Sequence, residues 1–295
     1  MKDLFYTAPP FYKEAQKKLV ALKNEYNFLR LGAIGKSIQG RPINALFLGN
    51  MQNPIVLAGA FHALEWLTES LLIKFSEELL KEIKSGGTIK NALNKRGVII
   101  VPCVNPDGVE LTLTRGASAL SFKPFTDKVC RGDYSLWQAN IRGVDLNHNF
   151  DAGHQKLLKM EREAGITGPS VRRFGGRAPH SENETRALVT LCRSFKVSRV
   201  YAYHSQGEEI FYSYGEKVPS GAFEMAKMLS ELSGYELVKG QGLYSHGGFK
   251  DWFIREFSLP GFTIEIGRGK NPLPMSELTS IFARLYEMMM LSLVI

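Results

Sequence analysis

No stretch of this chain approaches the ~20 continuous apolar residues that span a bilayer, so membrane insertion is not expected. The first ten residues, Met1-Lys-Asp-Leu-Phe-Tyr-Thr-Ala-Pro-Pro10, lack an apolar core of secretory length. A cytoplasmic protein is expected unless a leader has already been removed. Cysteine is scarce: Cys103, Cys130 and Cys192 are odd in number, far apart and in no metal-ligand spacing. That argues against a disulfide framework and agrees with a reducing compartment, with Cys103 and Cys192 read as buried thiols inside apolar runs. Internal repeats, linkers and low-complexity segments are also missing. One domain over residues 1–295 is expected, long enough to bury a substantial core.

Charge of neither sign is concentrated. The net charge is +8, yet Lys and Arg are spread along the chain with only short clusters such as Lys17-Lys18 and Arg172-Arg173. Without a nucleic-acid-binding motif, nucleic acid is not the expected partner. A basic surface drawn to an anionic substrate or polymer is the more economical reading. The 44% hydrophobic content and 22% charge are those of an ordinary soluble enzyme.

What is present is an alternation of strand-like and helix-like segments. Residues 11–27 have helical periodicity with Phe11, Ala15, Leu19, Leu22 and Tyr26 on one face. Short β-like runs at 31–34 and 43–48 flank a turn, and a buried strand at 54–60 leads into a helix at 65–84. A continuous apolar run at 98–104 reads as a strand covered on both faces. Residues 115–178, rich in Gly, Arg, Ser, Asp and aromatics, read as long site-shaping loops. Helices are expected at 181–195, 219–233, 248–257 and 275–293, and strands at 198–203 and 262–266. This order indicates an α/β domain with a parallel or mixed sheet and helices on both faces.

His62-Ala-Leu-Glu65 lies where the strand at 54–60 gives way to the helix at 65–84. A histidine and a glutamate three apart can aim imidazole and carboxylate at one point, which is part of a zinc site. Alone the signal is weak, because a capping or surface pair has the same spacing. Open α/β sheets place ligands at the C-terminal ends of their strands, and other chemistry-bearing residues fall there. The strand at 98–104 ends in Asn105-Pro-Asp-Gly108, a turn sequence; the strand at 198–203 ends in His204; the strand at 262–266 contains Glu265. Singly, His204 is as well read as a satisfied core histidine and Glu265 as an arginine partner. Together, His62, Glu65 and His204 supply three ligands for one Zn2+ and leave Glu265 as the base. A metal draws the pKa of a bound water towards neutrality, and a nearby carboxylate can take that proton and return it to a leaving amine.

His62-x-x-Glu65, Asn105-Pro-Asp-Gly108, Gly143-Val-Asp-Leu-Asn147, His204 and Phe262-Thr-Ile-Glu265 occur in the order seen in the zinc carboxypeptidase A-like family, which the chain resembles over nearly its whole length. Ile34-Gly-Lys-Ser-Ile-Gln-Gly-Arg-Pro-Ile43 and Glu184-Thr-Arg-Ala-Leu188 resemble that family too. The resemblance implies a single α/β domain with a mixed, twisted eight-stranded sheet, one catalytic zinc held by His62, Glu65 and His204, and Glu265 as general base and acid. Within the family, Tyr203-His-Ser-Gln-Gly-Glu-Glu209, Gly247-Gly-Phe-Lys-Asp-Trp252 and Phe262 to Pro274 most resemble the bacterial γ-D-glutamyl-L-diamino acid peptidases, which cut peptidoglycan stem peptides.

Three departures from the family pattern bear on substrate choice. Where the family holds a terminal carboxylate with an Asn-Arg pair, this chain has Asn147-His148; His148, with Lys250, is expected to anchor the diaminopimelyl carboxylates, by one hydrogen bond rather than the planar bidentate fork of arginine. A histidine that merely packs in place of arginine is the alternative. The arginine that polarises the scissile carbonyl aligns with Gln138, which leaves Arg142 as the first stand-in and Arg131 as the second. Lys250 aligns with the floor of the specificity pocket, where an ammonium favours a side chain bearing a carboxylate, as in meso-diaminopimelate. Tyr244 is the candidate for a mobile phenol over the substrate. The plainer alternative has Lys250 in solvent and Tyr244 packed on the surface. The expected reaction is zinc-dependent hydrolysis of the γ-D-glutamyl–diaminopimelate amide in murein peptides. Its rivals are a carboxypeptidase for acidic C-terminal residues and a non-catalytic ligand-binding protein.

Overall fold

The computed structural model describes residues 4–239 and 246–295. Its strands are β1 (Arg30–Lys36), β2 (Pro42–Leu48), β3 (Ile55–Ala58), β4 (Val98–Val101), β5 (Arg199–Ser205), β6 (Glu209–Phe211), β7 (Glu236–Val238) and β8 (Gly261–Ile266). They form one eight-stranded sheet in the order β1-β2-β4-β3-β5-β8-β6-β7. The central four, β4, β3, β5 and β8, run parallel. On one side β2 pairs antiparallel with β4 and β1 with β2; on the other, β6 pairs antiparallel with β8 and parallel with β7. The mixed sheet is the one expected from the resemblance.

The strands of the centre are buried on both faces, which is why they read as unbroken apolar runs. Ile55 and Leu57 of β3 face one core, shared with α1 (Tyr12–Glu25), α2 (Trp66–Ser85), α8 (Ala222–Ser233) and α10 (Leu278–Ser292). Val56 and Ala58 face a second core, closed by α7 (Asn183–Phe195) and α9 (Phe249–Phe257). Helices therefore cover both faces.

Several elements depart from the sequence expectations. Helix α3 (Thr88–Lys95) and the three-residue strands β6 and β7 gave no usable periodic signal. Asn105-Pro-Asp-Gly108 starts a helix, α4 (Pro106–Leu113), rather than a simple turn. Pro106 takes the first helical position, where its missing N–H costs nothing, and Asn105 Oδ1 caps the Gly108 N–H at 3.0 Å. The expected loop region 115–178 contains α5 (Lys123–Cys130) and α6 (His154–Glu163). Only His154, Leu157 and Glu161 of α6 are buried, so its apolar stripe is nearly invisible in the sequence.

Candidate metal centre

The turn after β3 and the C-terminal ends of β5 and β8 meet at one edge of the sheet. His204 is the sixth residue of β5 and lies in register with Glu265 on β8. Asn105 fastens the turn that bears His62: its Nδ2 donates to the carbonyl of Phe61 and to that of Ala139, each at 3.1 Å. This close packing explains Gly108, where a Cβ would lie 2.5 Å from Asn105 Nδ2 and 2.6 Å from the Ala139 carbonyl oxygen. The neighbouring Asp107 accepts from Ser37 Oγ, the Gln39 N–H and Arg41 Nη1 at 2.6 to 2.7 Å, pinning the segment after β1. Asn105-Pro-Asp-Gly108 thus builds the frame of the site.

His62 Nδ1 lies 2.8 Å from Glu65 Oε1, His204 Nδ1 lies 3.0 Å from Glu65 Oε2, and the two Nδ1 atoms are 3.3 Å apart. Zinc–nitrogen bonds of about 2.0–2.1 Å at tetrahedral angles separate ligand atoms by about 3.3 Å. Two imidazole nitrogens and a carboxylate converging at these distances fit a cation. Among the described residues they form the one group of His, Cys, Asp and Glu side chains able to hold a metal ion. Asp145 completes the arrangement: its Oδ1 lies 3.1 Å from His62 Nε2, which orients the ring with Nδ1 inward. The His204 ring stacks on Phe61 with centroids 5.0 Å apart.

Electrostatics follow from this crowding. Burial disfavours a charged His62, but Glu65 and Asp145 overcome it and hold the imidazole well above the ordinary histidine range. Burial alone would raise Glu65, yet His62 and His204 bring its pKa down to about 2. Glu265 moves the other way: burial, with Glu65 beside it, pushes its carboxyl well above the usual range. A cation at the ligand triangle acts on Glu265 in the opposite sense.

A cavity of about 620 Å³ opens onto the triangle, and the described residues around it include Glu265, Gln138, Asn147, His148 and Lys250. Asn147 Oδ1 accepts the Phe249 N–H at 3.0 Å and so positions the first turn of α9, which carries Lys250. His148 is buried, with Nδ1 2.9 Å from the Arg173 carbonyl and 3.3 Å from Glu161 Oε1, so one ring nitrogen is committed to packing. Burial opposes its charging, but Asp145 and Glu161 raise its pKa overall. Lys250 is not in solvent: it is buried, and its ammonium donates to the Ser213 carbonyl at 2.5 Å and to Asp251 Oδ1. Tyr244 lies outside the described residues.

Arg142 lies apart from the residues described around the cavity. Its half-exposed guanidinium sits 3.6 Å from Glu182, and it does not border the cavity. Arg131 does not border it either. Between them, Asn140 Oδ1 accepts the N–H groups of Arg142 and Val144 at 3.0 and 3.1 Å. Residues that do border the cavity, and that the sequence reading gave no role, include Asp145, Arg172, Arg173, Glu209 and Asn271. A turn aspartate or a surface arginine pair carries no mark of the histidine or cavity it meets. Asp145 falls within the family-like run Gly143-Val-Asp-Leu-Asn147, the only sign of it in the sequence.

A mixed sheet with a His-Glu-His triangle at the C-terminal edge of its parallel strands defines a metallohydrolase architecture. The sequence profile described as zinc carboxypeptidase matches residues 16–287, and the chain belongs to this family of zinc metallopeptidases. It is 34% identical over 278 residues to the γ-D-glutamyl-L-diamino acid endopeptidase 1 of Lysinibacillus sphaericus, covering 92% of this chain and 69% of that protein. It is 33% identical to the uncharacterized protein YqgT of Bacillus subtilis (strain 168), covering 90% and 72%. In fold it resembles the crystal structure of thrombin activatable fibrinolysis inhibitor, with a TM-score of 0.76 at 20% identity over 99% of this chain and 76% of that one. No helix among the described residues is long and apolar enough to cross a membrane.

Proposed function

We propose that this chain hydrolyses the amide between γ-D-glutamate and meso-diaminopimelate in peptidoglycan stem peptides. His62 Nδ1, His204 Nδ1 and the Glu65 carboxylate would hold one zinc ion, with Asp145 fixing the His62 ring. When bound, zinc polarises the scissile carbonyl and lowers the pKa of water. Glu265 takes a proton from the attacking water and returns it to the leaving amine. Burial pulls its pKa up and the cation pulls it down, which suits a group that must both accept and release a proton.

The observation that carries the substrate assignment is the buried Lys250–Asp251 pair beside the cavity. A simple acidic side chain would satisfy Lys250 and leave its charge against Asp251. The distal end of meso-diaminopimelate bears both a carboxylate and an ammonium, which complements a fixed pair of opposite charges. The 34% identity to the Lysinibacillus protein supports the same choice. We place the activity in the cytoplasm, because Cys103, Cys130 and Cys192 all stand as free thiols.

The test compares hydrolysis of L-Ala-γ-D-Glu-meso-diaminopimelate with that of an ordinary peptide ending in Glu, with zinc measured on the same protein. The expected result is release of diaminopimelate by protein holding one zinc per chain. Glu265→Gln should keep the zinc and lose activity by roughly 10²- to 10⁴-fold. Cleavage of the ordinary peptide alone would overturn the substrate assignment. Inactivity on both with zinc bound would instead support a ligand-binding protein.

A further inference from the structure

The two positions aligned with the family's substrate-binding arginines hold Gln138 and His148, and the nearby Arg142 points to Glu182. Neither Gln138 nor His148 offers the permanent planar cation that an arginine presents to a carboxylate. The structure brings a different arginine to the gap. Residues 171–174 form a bent segment, with Arg173 at φ 68°, stitched between these two positions. The Gln138 and Ala139 N–H groups both donate to the Val171 carbonyl, at 2.7 and 3.1 Å. On the other side, the Asp145 N–H donates to the Phe174 carbonyl at 2.7 Å. The Arg173 N–H donates to Asp145 Oδ2 at 2.9 Å, and the Arg173 carbonyl lies 2.9 Å from His148 Nδ1. Asp145 thereby ties this segment to the His62 ring, with one oxygen on each.

Arg172 sits in the middle of that segment and borders the cavity. It is exposed, and among the described residues no carboxylate pairs with its guanidinium. We infer that Arg172 binds the α-carboxylate of the substrate residue on the leaving-amine side, taking over the role that an arginine at position 148 plays in the family pattern. The main-chain contact of Arg173 with His148 places the segment on that side of the site, and the bidentate fork of arginine suits a carboxylate. The charge cluster Arg172-Arg173 thus acquires a local purpose. The inference rests on the peptidase reading above, since it requires a substrate with a carboxylate at that position.

A double-mutant-type cycle tests it. Wild type and Arg172→Ala are assayed on the murein tripeptide and on the ordinary peptide ending in Glu, each with the α-carboxylate free or amidated. With the free carboxylate, Arg172→Ala should raise KM roughly 10- to 100-fold, as expected for a charged hydrogen bond, with kcat changed less than about threefold. With the amidated substrates the same substitution should have no effect. Arg172→Lys should recover part of the loss, and it reads the same quantity if the alanine variant folds poorly. An equal effect on free and amidated substrates, or no effect on either, overturns the inference. If wild type cleaves only the peptide ending in Glu, the murein reading fails while the cycle on that peptide still decides the role of Arg172. Inactivity on all four substrates overturns both.

Discussion

Buried carboxylates away from the metal centre give this protein a pH dependence of its own. Glu184 Oε1 accepts the Ile38 N–H at 3.2 Å, while Oε2 has no hydrogen-bond partner. Burial pushes its pKa up to about 8, as it does for Glu69. An unfolded glutamate titrates near 4.3. Between roughly pH 4.3 and 8 the unfolded chain has lost a proton that the folded chain keeps. The stabilisation is whole below that window and disappears as pH rises through it. Glu184→Gln, which mimics the neutral acid, should therefore gain on wild type by on the order of 3 kcal/mol between pH 5 and pH 8. Urea unfolding at the two pH values measures this; an equal difference at both would refute it. At the same scale the metal ligands and Glu265 were readable from sequence, because ionisable side chains in apolar strand ends stand out. Asp145 and Arg172 were not, because their meaning depends on which segments the fold brings beside them. Lys250 borders the cavity beside its partner Asp251, and a lysine next to an aspartate in the sequence does not tell whether the two side chains pair.

Among elements, the long periodic ones were foreseen within a few residues: the helix expected at 65–84 runs Trp66–Ser85, and that at 181–195 runs Asn183–Phe195. Strands β6 and β7, three residues each, are too short to carry a period of two. Their contribution is nonetheless direct, since β6 sets Glu209 opposite Glu265 at the cavity. The start of α4 was mistaken for a turn because a helix opened by Asn-Pro uses the same residues as a turn does. There Asn105 satisfies one N–H and two carbonyls, all buried. Asn105→Ala should cost about 3 kcal/mol in urea unfolding with the m-value unchanged. A loss below about 0.5 kcal/mol would mean that water replaces the amide and that the turn bearing His62 is held otherwise.

For the whole molecule, alternation of strands and helices indicated an α/β sheet, its eight-stranded mixed form came only from the resemblance to the carboxypeptidase family, and the strand order came from neither. Pairings such as β3 with β5 join residues far apart in the chain, and no local pattern announces them. The same long-range topology makes the function, since it sets His62, His204 and Glu265 at one edge. In the proposed reaction the charged cavity selects the amide. The most direct measurement gives the zinc-loaded protein an equimolar mixture of L-Ala-γ-D-Glu-meso-diaminopimelate and the same tripeptide joined through the α-carboxyl of D-Glu, and follows both by mass spectrometry. We expect the γ-linked peptide to be consumed at least about tenfold faster, a difference of about 1.4 kcal/mol in transition-state binding. Equal consumption, or preference for the α-linked peptide, would contradict the assignment.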